Sequence, residues 1–205
     1  LNKKFSLIKN KTIELRPNWV NIPKEMKNIR DRQKERILMV GRLEDQKNYQ
    51  SVIKNLSGTE LGLDIVGEGK LKKSILDFGK ENNVEINFLG TLDHNMLLEK
   101  YREYKFYILY SKFEGHPKTL LEAMSQGCVP LVLKSQNIME VVDHKITGVI
   151  LENEKESLNK WIIYLNENNN EFKKLSMNAR NFVVNTYSLE KSLDVELQDY
   201  IDLIN

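Results

Sequence analysis

Arg36-Ile37-Leu38-Met39-Val40-Gly41 is a run of four apolar residues closed by glycine, with no polar alternation. Such a run is expected of a strand buried on both faces of a parallel sheet. The pattern then repeats. Val52, Ile53 and Leu56 share one helical face, Leu63-Asp64-Ile65-Val66-Gly67 is a second strand, and Leu71, Ile75 and Phe78 line a second helix. The alternation continues through a strand at 84–89, a helix at 94–103, a strand at 106–110, a helix from Pro117 and a strand at 129–133. Strand–helix alternation at this spacing predicts right-handed crossovers and one doubly wound α/β domain, Rossmann-like, over residues 36–205. After Ile150 the reading is wholly helical. Leu158, Trp161, Ile162 and Leu165 form one stripe, and Leu189, Leu193, Leu197, Ile201 and Ile204 form another; both are expected to pack in the core. Asn168-Asn169-Asn170 reads as a loop.

Upstream of this body, residues 1–35 lack clean periodicity and contain Pro17 and Pro23, as expected of an interdomain linker with one short extended piece. The start, Leu1-Asn2-Lys3-Lys4, has neither an initiator Met nor a signal-peptide apolar segment, so the chain is expected to be excised from a longer protein. The whole has 205 residues, 40% hydrophobic and 29% charged, with net charge +2. Residues 1–40 carry eleven Lys/Arg against four Asp/Glu, a surplus of +7, so the remainder by difference is −5. A basic segment of this kind could touch anionic lipid headgroups, polyphosphate or nucleic acid, but a solvated linker with Lys on its surface is the favoured reading. Basic and aromatic residues do not interleave, which argues against nucleic acid as a partner. No apolar run reaches the ~18 residues of a membrane span. The lone Cys128 excludes an internal disulfide framework and fits a cytoplasmic, reducing compartment. Three scattered His, one Cys and no D-x-D point to no metal site and no cofactor.

In a doubly wound sheet, ligands bind where strand C-termini meet helix N-termini. After the first strand stand Arg42 and Lys47, a cation pair suited to a pyrophosphate, although taken alone they read more readily as solvated surface charges. After the second comes Gly67-Glu68-Gly69, a tight turn that lacks the third glycine of a dinucleotide fingerprint. The most informative segment is Glu114-Gly115-His116-Pro117-Lys118-Thr119-Leu120-Leu121-Glu122. Pro117 suits a first helical position, which would leave the N–H groups of Lys118, Thr119 and Leu120 free to favour an anion. Glu114 and Glu122 flank that turn. Carboxylates beside an anion site are costly unless they accept hydrogen bonds from hydroxyls, which sugars and riboses supply. Cys128 is expected to be a buried small hydrophobe, and His94 and His144 surface residues at helix starts.

Taken together, Gly41-Arg42-Leu43 with Lys47, Val66-Gly67-Glu68-Gly69, Phe88-Leu89-Gly90, the paired glutamates running into Ala123-Met124-Ser125-Gln126-Gly127, and Val142-Asp143-His144-Lys145-Ile146-Thr147-Gly148 resemble the group 1 family of retaining glycosyltransferases. Asn18-Trp19-Val20 resembles the family's interdomain segment, and the matches run in order over about residues 15–150. The resemblance implies one lobe of a GT-B fold, the lobe that binds a nucleotide-sugar donor, with UDP the commonest base. Arg42 and Lys47 would hold the diphosphate and stabilise the leaving nucleotide. Glu114 would hold the sugar near the reacting carbon, and Glu122 the ribose. Backbone around Gly115–Leu120 would cradle phosphate, and Gly67, Glu68, Leu89 and Leu92 would line the base pocket. A glycan or lipid-linked acceptor would bind the missing N-terminal domain, leaving this part inactive alone. The sequence departs from the family pattern at His116, where an aromatic such as Phe is common, and at Trp19, where Gly is usual. Two other readings remain open: a sugar-nucleotide epimerase or phosphorylase of the same fold, and a non-catalytic nucleotide-binding module.

Overall fold

The computed structural model describes residues 4–8, 11–14, 18–23, 28, 31–154 and 157–204. The body is a six-stranded, all-parallel sheet: β3 (Arg36–Val40), β4 (Gly62–Val66), β5 (Ile86–Phe88), β6 (Phe106–Leu109), β7 (Val129–Leu133) and β8 (Val149–Leu151). Its order is β5-β4-β3-β6-β7-β8. The chain thus winds outward from β3 to one edge, returns to the middle, and winds outward to the other. Residues of β3 split between the two faces as a period of two requires. Ile37 and Met39 join the core on one side, and Leu38 and Val40 the core on the other. This is the doubly wound α/β fold that the apolar runs predict.

Helices α1 (Tyr49–Leu56), α2 (Lys72–Glu81) and α5 (Leu158–Glu167) bury their apolar faces against the first side. Helices α3 (His94–Tyr101) and α4 (Lys118–Ser125) cover the second. Helix α6 (Asn169–Tyr187) serves both: Phe172 and Leu175 enter the first core, and Ala179, Val183 and Tyr187 the second. With both faces covered, no core remains for α7 (Leu189–Ile204). Its Leu189, Leu193, Leu197 and Ile201 are exposed, which corrects the core placement expected of that stripe; the side chain of Ile204 lies outside the described residues.

Other boundaries shift for local reasons. β8 is a strand of three residues, too short for a periodicity test, at the point where the helical stretch was expected to begin. Asn169 and Asn170 open α6 and are not loop. His144 sits in a tight turn, bridged to Gly148, where its Nδ1 accepts from the Ile150 N–H at 3.0 Å. It is not at a helix start. Two short strands, β1 (Lys4–Ile8) and β2 (Lys11–Glu14), pair antiparallel as a separate sheet where one extended piece was expected. Closer to the body, the Val20 N–H donates to the Tyr187 carbonyl at 2.9 Å, and Arg180 donates to the Pro23 carbonyl at 2.5 Å. Cys128 is fully buried, its Sγ donates to the Tyr101 carbonyl at 3.0 Å, and burial pushes its pKa up to about 12.

The end of the sheet opposite the strand C-termini is pinned by a buried carboxylate. Asp64 in β4 accepts from Arg36 Nε at 2.7 Å and from the hydroxyl of Tyr104. Arg36 reaches Glu85 as well, at 3.1 Å. Removing one member of a buried ionic network strands its partners without water. Asp64→Ala is expected to lower unfolding free energy by about 3 kcal/mol, and Asp64→Asn, which still offers an acceptor, by about 1–2 kcal/mol, in urea titrations.

Candidate functional site

The strand order places a switch point between β3 and β6, the two central strands whose following loops run to opposite sides. Beyond their C-terminal ends, three loops are laced by main-chain hydrogen bonds. The Gly41 N–H donates to the Val66 carbonyl at 3.0 Å, Gly67 to Gly90 at 2.8 Å, and Leu43 to Glu68 at 3.0 Å. A Cβ on Gly67 would stand 2.0 Å from the Gly41 carbonyl oxygen, and one on Gly69 2.6 Å from that of Leu43. Both glycines therefore permit close approach of two backbones, the turn reading of that segment. Tyr49 on α1 donates its hydroxyl towards the Gly41 and Arg42 carbonyls at 3.2 and 3.3 Å.

After Gly41 the chain makes a single 3-10 turn, Asp45–Lys47, which carries the β3 loop across to the loop after β6. Gln46 fastens the two: its carbonyl accepts from the Lys112 N–H at 2.9 Å, and its side-chain amide donates to the Phe113 carbonyl at 2.8 Å. Lys47 then meets Glu114 at 2.6 Å, their side chains only 16% and 13% exposed. Asn137, beyond β7, donates to the carbonyls of Glu114 and Gly115 at 2.6 and 2.8 Å and so fixes that loop from the other side. Arg42 is not drawn in. Its guanidinium is 77% exposed and 3.6 Å from Glu44, an exposed pair that holds the side chain weakly.

Pro117 lies one residue before the first helical position, with ψ of 76°, and this changes the expected cradle. The turn closes on itself: the Lys118 N–H donates to the His116 carbonyl at 2.9 Å, and that of Leu120 to the Pro117 carbonyl at 3.0 Å. Two of the three N–H groups expected to be free are thus satisfied locally. Leu120 is core, and Lys118 points to solvent. The Thr119 hydroxyl accepts from that of Tyr107 at 2.8 Å.

Glu122, one turn into α4, is 4% exposed at its side chain, and its Oε1 lies 3.0 Å from Nε2 of His94. His94 is an exposed residue at a helix start, as expected, and in addition touches a carboxylate of the candidate site. Tyr107 lies within electrostatic range of both carboxylates. Its pKa is raised chiefly by burial, and the charges of Glu114 and Glu122 both push it further up. Glu68 pairs with Lys72 at 3.2 Å on the surface, and Leu89 and Leu92 pack against the second core beside the Gly90 turn. The structure thus gathers Lys47, Glu114, Glu122 and the glycine turns at one rim. Sequence reasoning missed His94, Gln46 and Asn137. His94 follows the helix N-cap Asp93 on the same rim and was within reach of the sheet-edge rule; Gln46 and Asn137 carry no sequence signal.

The family model described as glycosyl transferases group 1 matches residues 21–182. The chain belongs to that family. An uncharacterized glycosyltransferase of Methanocaldococcus jannaschii is 30% identical over 195 residues, covering 88% of this chain and 49% of its own length. The UDP-Gal:alpha-D-GlcNAc-diphosphoundecaprenol alpha-1,3-galactosyltransferase of Escherichia coli is 26% identical over 177 residues, covering 81% and 45%. This glycosyltransferase chain therefore spans about half the length of those relatives. Among solved structures, the C-terminal domain of a glycosyl transferase group 1 family protein from Francisella tularensis aligns with a TM-score of 0.67 at 21% identity, over 78% of this chain and 89% of that one. The fold is that of the C-terminal lobe of a GT-B glycosyltransferase.

His116, expected to stand where the family carries an aromatic, packs as an aromatic here. Its ring packs edge-on against Tyr187 at 5.7 Å, and neither ring nitrogen has a hydrogen-bond partner among the described residues. Burial lowers its pKa below the ordinary 6.5, with Glu140 partly opposing. A histidine whose folded pKa is depressed contributes stability that is fully present above its unfolded pKa and is lost as pH falls from there through the lower folded value. Melting temperature is expected to drop between pH 7.5 and 5.5, and His116→Phe to flatten that slope while leaving the midpoint at pH 7.5 within a few degrees.

Proposed function

We propose that this chain is the donor-binding half of a retaining glycosyltransferase, taking a hexose from a nucleoside-diphosphate sugar to a glycan or lipid-linked acceptor. The observation that carries this reading is the Lys47–Glu114 ion pair at the switch point, with Glu122 behind it on α4. A half-buried cation joined to a half-buried carboxylate is balanced before any donor arrives. A diphosphate entering beside Lys47 shares its charge, and Glu114 then turns an acceptor oxygen to the hydroxyls of the sugar. Arg42 adds a second, mobile cation at little cost, because the exposed contact with Glu44 is worth at most about 1 kcal/mol. As phosphate leaves, both cations offset the charge that grows on it. Glu122 accepts from the ribose, while Gly67, Glu68, Leu89 and Leu92 border the base.

UDP is the first nucleotide to test, since the E. coli relative is named for a UDP-Gal donor and a diphosphoundecaprenol acceptor. An acceptor of that class fits a cytoplasmic protein peripheral to a membrane; no helix among the described residues is long and apolar enough to cross one. The acceptor half would come from residues outside this chain and would have the exposed stripe of α7 to pack on. No metal or cofactor is required by this chemistry.

Calorimetric titration of the 205-residue chain with UDP and UDP-sugars tests the reading. Saturable binding is expected, weakened at least about tenfold by Lys47→Ala or Glu122→Ala and unchanged by Lys160→Ala far from the rim. Sugar transfer by the chain alone is expected to be negligible. Absence of binding to any nucleoside diphosphate at millimolar concentration would sink the proposal.

A further inference from the structure

Glu122 raises a problem of placement that the family assignment does not answer. A carboxylate on α4 with 4% of its side chain exposed needs a donor to hold it in one orientation, and none of its own helix's side chains supplies one in the contacts seen. The donor comes from a different helix. His94 opens α3, directly after Asp93, whose carboxylate caps that helix by accepting from the Met96 N–H at 2.9 Å. The cap fixes the helix start, the helix start fixes the imidazole, and Nε2 of the imidazole stands 3.0 Å from Oε1 of Glu122. The other walls of this carboxylate are aromatic: Tyr101 and Tyr107 are both fully buried, the charge of Glu122 contributes to raising the pKa of each, and the Tyr101 hydroxyl, also carried by α3, adds a weaker hydrogen-bonding contact to Glu122 beside that of His94. His94, by contrast, is 45% exposed at its side chain, so it faces the rim.

With one oxygen held by the imidazole, the carboxylate has a defined rotation, and its remaining lone pairs have defined directions. A vicinal diol is the group that uses two such acceptor directions at once. We propose that His94 is a positioning residue for the donor's ribose: by donating to Glu122 it orients the carboxylate towards the 2′- and 3′-hydroxyls and sets the preference for ribonucleotides over 2′-deoxyribonucleotides. The inference rests on Glu122 being the ribose ligand, as proposed above. A site built to pair with a hydroxyl rejects the analogue lacking it, because its own polar group is then left unpaired. A carboxylate free to rotate into the aromatic wall or out to water discriminates less.

The test is the ratio of affinities for UDP, GDP and ADP against their 2′-deoxy counterparts, measured by calorimetry on the wild-type chain and on His94→Ala, His94→Gln and Glu122→Ala. The nucleotide that binds the wild type is expected to be preferred about tenfold or more over its deoxy form. His94→Ala is expected to lose most of that ratio. His94→Gln, which keeps an N–H donor of similar reach, is expected to retain it. A merely structural His94 would change melting temperature and leave the ratio alone, so both are recorded. If Glu122→Ala abolishes the discrimination and His94→Ala does not, or if His94→Gln behaves as His94→Ala, the role of His94 is overturned while the ribose reading stands. If Glu122→Ala leaves the discrimination intact, or no nucleotide binds, the ribose reading itself fails and this inference with it.

Discussion

The pairing of β3 with β6 is the constraint on which the rim depends. These strands are neighbours in space, with Leu38 opposite Tyr107, although two complete strand–helix units separate them in the chain. Because the windings on either side of that pair run in opposite directions, the loops that follow cannot both fold back over the same helix. A crevice opens between them. The 3-10 turn after β3 crosses the crevice and is fastened by Gln46, and this alone brings Lys47 within 2.6 Å of a carboxylate 67 residues away.

The electrostatics of the crevice follow from its shape. Two carboxylates lie within range of one buried tyrosine, a costly arrangement unless each has its own partner. Each does, and the partners differ in kind. Glu114 has a fixed cation, a point charge on a flexible stem that an anion can share. Glu122 has an imidazole, a directional donor that orients more than it neutralises. The first pairing suits charge that moves during a reaction, and the second suits recognition of neutral hydroxyls. A further charge, Arg42, stays in water until something draws it in.

Rigidity is concentrated where the site needs it. Gly67 and Gly69 let the loops after β3 and β4 touch backbone to backbone, and the absence of a side chain at Gly41 leaves room for that of Lys47. At the far end of the sheet, Asp64, Arg36 and Tyr104 lock the strand starts. The segment after Glu114 is held by Asn137 and by the packing of His116 on Tyr187, and its helix start is closed by its own carbonyls. Less main-chain N–H is therefore free at this turn than Pro117 implied.

Uninterrupted apolar runs such as Ile37–Val40 and Leu131–Leu133 indicate strands covered on both sides, their alternation with amphipathic helical stretches indicates a parallel sheet, and the structure agrees. The rule that ligands meet strand C-termini likewise made Lys47, Glu114, Glu122 and the glycine turns legible one loop at a time. The three-residue β8 escaped, because so short a run has no measurable period, and so did the exposure of α7, because an amphipathic stripe says what a helix can bury and not whether anything is there to cover it. Partnership was decided by tertiary structure alone. Lys47 with Glu114, and His94 with Glu122, are contacts across 67 and 28 residues, set by the order of strands and by helix register. A linear sequence carries the identity of each charge, but the angle and distance between two of them exist only once the sheet has been wound.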